Sequence, residues 1–418
     1  MVVGEKYLVP SATQPRGEYV VDATEGSCTC PDWQECGGHG HAHRCKHVFA
    51  VLVIRREIAL PDGEFLVTEE KVHLQYPRDF RATNRSQVDL YRMGPVLIAD
   101  LVSGIPLSST VGRGRGRPRA EVRDIVQGAL LRTFEERTAR ETVEAMERSQ
   151  KSGLWQGHAL PHYNTLLREL ANPALMPIFQ SLINESAKPL VTIERNYAID
   201  STGFSTSVYE SWFRRKHGPK NQPPPVVGKM GHMAHWVKAH ACVGTATHVV
   251  TAIEVTENKG KGTGDTTWLP ELVLRTVRNG FIANKISADG AYLSAKNIQA
   301  IQGVGANAFI TFHSNTTGSS SPVIGDLFHQ FITRREWYEA ERHNRSNVET
   351  AFSMIKLRYG GYLRSRTPAA QYNELMAKAV VHNVACIIQA FHELQIDPKF
   401  WMPHAPPPDT NTAIKVIQ

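Results

Sequence analysis

Asp200, Asp289 and Glu349 are the residues of this 418-residue chain whose types and surroundings best fit phosphodiester chemistry. Breaking such a bond near neutral pH calls for two divalent cations about 4 Å apart, one activating water or a 3′-OH and the other stabilising the leaving oxygen. Carboxylates from separate elements must converge to hold them. Asp200 follows the apolar run Tyr197-Ala-Ile and precedes Ser-Thr-Gly, a turn signal, so it is expected at a strand end where a cleft opens. Asp289 repeats the pattern in Ile286-Ser-Ala-Asp-Gly-Ala-Tyr292. Taken alone, either aspartate also reads as a turn or cap residue. Arg345, Glu349 and Lys356 lie at i, i+4 and i+11, one face of a helix. Beside them Val348, Ala351, Phe352 and Ile355 form an apolar stripe that would pack the helix on a sheet. An exposed, ion-paired helix carries the same pattern.

A second group is built for a different metal. Cys28-Thr-Cys30 and Cys45-Lys-His47 supply four soft ligands, the number a closed tetrahedral zinc site needs. Cys36, His39, His41 and His43 lie in the intervening loop and compete for the role. Cys242 and Cys386 stand apart, so the six cysteines do not form a disulfide framework.

The elements that would position these groups fall into an ordered series. Residues 1–60 read as a small metal-bound module and 61–119 as a linker ending in the basic stretch Val111-Gly-Arg-Gly-Arg-Gly-Arg-Pro-Arg119, which fits neither helix nor strand interior. Residues 120–190 read as helices: Ile125, Ala129, Leu130 and Phe134 recur at helical spacing, and a second helix runs from about His162 to Ala171. Residues 191–395 begin with strands at Tyr197–Asp200, Trp236–Val243 and Thr247–Val255. Helices at about Thr267–Asn279 and Ser294–Gln302 then alternate with strands ending at Asp289 and spanning Ala308–Phe312, and a long helix starts near Arg335. This order predicts an α/β fold, a mixed sheet flanked by helices. Gly218 to Val227 reads as a loop and 396–418 as a tail.

Three segments, Asn196-Tyr-Ala-Ile-Asp-Ser-Thr-Gly-Phe204, Ser287-Ala-Asp-Gly-Ala-Tyr292 and Arg345-Ser-Asn-Val-Glu-Thr-Ala-Phe-Ser-Met-Ile-Lys356, resemble the catalytic blocks of DDE transposases from bacterial and archaeal insertion sequences. The resemblance covers roughly residues 115–400. It implies an RNase H-like core in which Asp200 on the first strand, Asp289 on the fourth and Glu349 on a following helix bind two Mg²⁺ or Mn²⁺. The implied reaction is cleavage at the ends of a mobile element, after which each freed 3′-OH attacks target DNA without ATP. Arg345 and Lys356 would hold phosphates near the cut. Where the family often has a tyrosine three residues before the arginine, this chain has Arg342. Glu349 lies sixty residues after Asp289, which leaves no room for the large insertion of some relatives and keeps a hairpin route open. The cysteine and histidine order resembles the SWIM zinc finger, with Pro31 and Ala50 also in place.

DNA contacts are expected from several basic residues. Arg115-Gly-Arg-Pro118 has the core of an AT-hook, which inserts arginines into the narrow minor groove of A·T-rich DNA, and Arg113, Arg115, Arg117 and Arg119 serve equally as a basic linker on phosphates. The helical segment is expected to bind transposon ends, with Tyr163, Asn164 and Arg168 on a candidate recognition helix, though a plain packing helix reads the same. Lys238 and His240 alternate along one strand and either point toward DNA or lie on a solvated sheet face. A net charge of +7 and pI near 9.0 favour a polyanionic partner. The expected partners are double-stranded DNA, both terminal repeats and target, and a second copy of the chain on paired ends. The chain begins without signal-peptide features and has no apolar run that would span a bilayer, so a cytoplasmic, nucleoid-associated protein is expected. Two other functions fit the same residues: a domesticated, non-catalytic DNA-binding protein, and a nuclease of the same fold.

Overall fold

The computed structural model describes residues 2–3, 6–10, 18–36, 45–54, 79–107, 120–157, 159–206, 236–257, 264–313, 316 and 321–401. The arginines at 113, 115, 117 and 119, the loop from Gly218 to Val227 and the histidines at 39, 41 and 43 lie outside them.

At the N-terminus β1 (Val2–Val3), β2 (Lys6–Pro10), β3 (Glu18–Asp22) and β4 (Ser27–Cys28) form an antiparallel sheet in that order, followed by α1 (Pro31–Cys36) and α2 (Lys46–Ile54). Val21, Cys28, Cys30, Cys45, Val48, Val51 and Leu52 bury a small apolar cluster of their own, separate from the main core.

The stretch expected to be a linker contains a 24-residue helix, α3 (Phe80–Ser103). Asp79 caps it, its carboxylate accepting from the backbone N–H groups of Arg81 and Ala82 at 2.9 and 3.1 Å. Leu90, Leu97, Ile98, Leu101 and Val102 bury one face in the main core. Gly94 lets the helix come close to its neighbour, because the Phe134 ring lies 2.2 Å from where a Cβ would stand. The helical segment follows as expected, with α4 (Val122–Phe134), α5 (Thr142–Lys151), α6 (Tyr163–Leu170) and α7 (Met176–Ala187).

The main sheet uses β5 (Asn196–Ser205), β6 (Trp236–Gly244), β7 (Val250–Glu257), then β8 (Lys285–Ala288) after α8 (Asp265–Arg278), and β9 (Asn307–Ile310) after α9 (Ala295–Gly303). Its order is β7-β6-β5-β8-β9; β7, β6 and β5 are antiparallel, whereas β5, β8 and β9 are parallel. This is the mixed, helix-flanked sheet read from the sequence. Two expectations change in detail. β5 does not stop at Asp200; it pairs with β6 from Tyr197↔Gly244 to Ser205↔Trp236. The long helix expected from Arg335 is divided: α10 (Pro322–Thr333) and α11 (Arg335–Arg342) precede a 3-10 turn at His343–Arg345, and α12 (Ser346–Tyr359) carries Glu349.

The last helix, α13 (Pro368–Leu394), is long and apolar enough to cross a membrane, yet 83% of its apolar window is buried inside the fold, as befits a core helix. It packs on α3, α4 and α7. Asn383 at its centre joins helix to sheet: its amide accepts from the Val250 N–H at 2.8 Å and donates to the Val250 carbonyl at 2.9 Å. Asn383→Leu leaves both buried backbone groups unpaired and should cost about 2–4 kcal/mol. An unchanged urea midpoint would show that solvent replaces these bonds.

Candidate active site and metal cluster

Strand register brings the two aspartates together. The parallel β5–β8 ladder ends at the pair Ile199↔Ala288, and Asp200 and Asp289 are the next residue on each strand. Adjacent strands lie about 4.8 Å apart, so both carboxylates emerge side by side where the parallel β5–β8 pairing ends, past the carboxyl end of β8 and beside the part of β5 that runs on with β6. Each accepts from the backbone N–H that follows it: Asp200, inside β5, from Ser201 at 2.7 Å, and Asp289, capping the 3-10 turn Gly290–Tyr292, from Gly290 at 2.7 Å. His313, which the sequence did not single out, holds the turn after Asp289 through its Nε2, 3.0 Å from the Gly290 carbonyl.

Glu349 reaches this end through Arg345, whose Nη1 lies 3.2 Å from Asp200 Oδ2 and 2.7 Å from Glu349 Oε1. Burial raises the Asp200 pKa, as do the charges of Asp289 and Glu349, while the Ser201 N–H and Arg345 oppose the rise. The donor set is all oxygen and its negative charges repel, which suits a hard divalent cation. Among the described residues these three carboxylates do not close to within 4.8 Å of one another, and Arg345 supplies the positive charge between two of them. Lys356, one turn from the end of α12, donates to Thr202 Oγ1 at 2.6 Å and lies over the Phe204 ring.

The cysteine and histidine group is already gathered. One ligand atom each from Cys28, Cys30, Cys45 and His47 lies within 4.8 Å of the others, and all four residues are buried. Cys45 Sγ stands 4.0 Å from His47 Nδ1. Tetrahedral zinc has ligand–ligand edges of about 3.6–3.8 Å, given Zn–S near 2.3 Å and Zn–N near 2.0 Å, so a small contraction closes the site. Hydrogen bonding with Cys28 and burial push the Cys45 thiol up to about 12, and burial raises Cys30. Without a cation these sulfurs stay protonated, and buried His47 Nε2 lacks a hydrogen-bond partner among the described residues. Three soft sulfurs and an imidazole fit zinc.

Residues 193–384 match the family model of the transposase DDE domain, and residues 18–54 match that of the SWIM zinc finger. The chain carries a transposase DDE domain. A comparison with curated proteins finds no match. Both resemblances seen in the sequence are thereby borne out, and the DDE match takes in Asp200, Asp289 and Glu349.

Within the DDE domain, the pleat of β5 separates two sets of polar residues. Asp200 and Thr202 face α12, whereas Ser201 faces α8, and Lys238 and His240 lie on that second face. Asp265, at the first turn of α8, gathers them. Its Oδ1 lies 2.6 Å from Ser201 Oγ, 2.6 Å from Lys238 Nζ and 3.4 Å from His240 Nδ1. His240 is fully buried, so it neither faces DNA nor lies on a solvated surface, and Lys238 is spent on an internal pair rather than placed beside Arg345 and Lys356. Burial opposes ionisation of Asp265, but hydrogen bonds from His240, Lys238 and Ser201 hold it well below the usual carboxylate range. Because the folded pKa is depressed, this carboxylate stabilises the protein above its unfolded value near 4, and the contribution is lost as pH falls below that value. Asp265→Asn should cost about 1–3 kcal/mol at pH 7 and flatten the acid limb of stability against pH. Parallel wild-type and variant curves would refute the pairing. Nothing in the local sequence marked Asp265, since its partners come from β5 and β6.

Burial with the nearby charges of Asp265 and Asp200 keeps the Tyr292 hydroxyl protonated, against the opposing effect of a hydrogen bond with Ser201. Arg342, at the family's tyrosine position, pairs with Glu339 at 2.6 Å. On α6, Leu166 and Leu170 are buried while the Arg168 side chain is 73% exposed, its only ion pair among the described residues being Glu169.

Proposed function

We propose that this protein is a transposase that cleaves DNA at the ends of a mobile element and joins the freed 3′-OH ends to target DNA. The observation that carries the reading is the convergence of Asp200 and Asp289, each one residue past the Ile199↔Ala288 pair, with Glu349 tied to the same point by Arg345. Asp200, Asp289 and Glu349 would hold Mg²⁺ or Mn²⁺, which when bound stabilises charge on the phosphoryl group and lowers the pKa of the attacking water. Arg345 is the resident cation among these carboxylates, and its fork suits a phosphate oxygen pair once the carboxylates take another partner. Lys356, its ammonium over the Phe204 ring and donating to Thr202, would offer that charge beside the same strand to a neighbouring phosphate. Cys28, Cys30, Cys45 and His47 would hold zinc as a structural ion with no open position. Arg168 would contact the element end, and two copies of the chain would pair two ends.

The deciding experiment incubates the full chain with Mg²⁺, a duplex carrying an element end and a target plasmid. Cleaved ends covalently joined to plasmid support the reading; cleavage without joined product indicates a nuclease of the same fold, and binding without cleavage a DNA-binding protein only. Replacing Arg113, Arg115, Arg117 and Arg119 together by alanine is expected to reduce the slope of log affinity against log salt by up to about 3.6, roughly 0.9 per phosphate contact. A larger loss on A·T-rich than on G·C-rich duplex marks the AT-hook; an equal loss marks a basic linker.

A further inference from the structure

A pocket between the end of α4, the segment after α12 and the first half of α13 is lined by an excess of positive charge. Arg132, Arg364 and Lys378 meet there with Arg137, Glu136 and Glu374. Arg132 is 7% exposed and Lys378 3%, and no carboxylate lies within ion-pair distance of Arg132, Arg364 or Lys378 among the described residues. Glu374 is the carboxylate whose charge acts on both Arg132 and Lys378, yet its two oxygens are engaged by the backbone N–H groups of Arg364 and Ser365 at 2.9 and 2.8 Å. Arg137 is committed to Glu135 and Glu144.

The remaining contacts are neutral. Lys378 Nζ donates to the Gly360 and Tyr362 carbonyls, both at 2.7 Å, and Arg364 to the Tyr362 hydroxyl at 3.2 Å. The buried Arg132 Nε has no hydrogen-bond partner among the described residues. Burial together with the neighbouring Arg364 and Arg132 brings Lys378 down to about 8, against the pull of Glu374 and Glu136. Buried charges are ordinarily paired, and three cations against two carboxylates, Glu136 and the engaged Glu374, leave an excess positive charge and a place for an anion. Planar guanidinium groups favour oxyanions with several acceptor oxygens.

We propose that Arg132, Arg364 and Lys378 form a binding site for a phosphate oxyanion, distinct from the acidic site. Its position favours a backbone phosphate of DNA. Tyr362 pairs with Ser205 at the far end of β5, and the Phe204 ring lies under both Lys356 and Lys378, so the pocket continues the strand that bears Asp200. Five residues of strand separate Asp200 from Ser205, about 17 Å at ~3.3 Å per residue. One strand of B-DNA places a phosphate every ~3.4 Å along its axis, so the contact would fall about five nucleotides from the cut.

The test uses the full chain, Arg132→Gln and Arg364→Gln, with Arg132→Lys as a conservative control. In one arm, inorganic phosphate is compared with chloride at equal ionic strength by thermal melting. In the other, the salt dependence of binding to an end-containing duplex is measured without divalent metal, so that the outcome does not depend on the acidic residues. Wild type should be stabilised by phosphate and both glutamine variants should not; each variant should also lower the salt slope by about 0.9. Arg364 lines the rim, so its variant keeps the test decisive should the buried Arg132→Gln fail to fold. A phosphate response with unchanged slopes supports the site with free phosphate as its ligand. Equal melting of wild type in phosphate and chloride, together with unchanged slopes, would overturn the proposal and leave the cluster as a tie between α4 and α13.

Discussion

Asp200→Asn, Asp289→Asn and Glu349→Gln should each lower Mg²⁺-dependent cleavage of an end-containing duplex by at least about 10³-fold, while binding of that duplex stays within a few fold of wild type. Charge stabilisation by bound metal contributes several kcal/mol to such a reaction, and each 1.36 kcal/mol is tenfold in rate. The amide variants keep size and shape while removing the charge that retains the cation. Stability should move the other way. Three carboxylates face one end of the sheet with Arg345 as the cation between two of them, so removing one negative charge relieves repulsion. Asp200→Asn should therefore melt no lower than wild type, the usual relation between an active site and its fold. Full cleavage in any one variant removes that residue from the site; a lowered melting temperature would mean that its charge serves the fold instead.

Stripping zinc, by chelation or by Cys30→Ser, should unfold residues 18–54 and leave the DDE domain folded. Structural zinc contributes an apparent ~10–16 kcal/mol in zinc-finger peptides, far more than the apolar cluster around Val21, Val48, Val51 and Leu52 can supply. That cluster is separate from the core built by α13, α3 and the main sheet, so loss of one need not propagate to the other. Zinc content, limited proteolysis and cleavage measured on the same preparation distinguish the outcomes. Cys30→Ser retaining one zinc per chain refutes the ligand set, and collapse of the DDE domain would make the finger part of the core.

The acidic blocks could be read from sequence because their signals are local: an apolar strand running into Asp200, another into Asp289, and a helix face bearing Arg345 and Glu349. The finger was readable for the same reason, since ligand type and spacing both lie within twenty residues. Asp265 and the burial of His240 were not, because alternation along β6 reveals which residues share a face but not that α8 covers it. α3 escaped notice for a different reason. Pro95 sits inside it and the exposed side bears Arg81, Arg85 and Arg92, so the pattern resembles a broken, polar stretch until α13 supplies the surface on which Leu97, Leu101 and Val102 pack. A catalytic fragment must accordingly begin upstream of Asp79, since one starting near residue 115 strips this helix from the core.

The position of Arg345 between Asp200 and Glu349 bears on how the protein is made. A chain that carries its own counterion for these carboxylates can complete the DDE domain whatever the magnesium level, and circulate intact but idle until metal and DNA arrive together. Among its described residues the finger carries no such substitute, so its share of the molecule should mature only as fast as zinc is delivered. Cells starved of magnesium should accumulate whole, silent protein; cells starved of zinc should accumulate protein clipped ahead of α3.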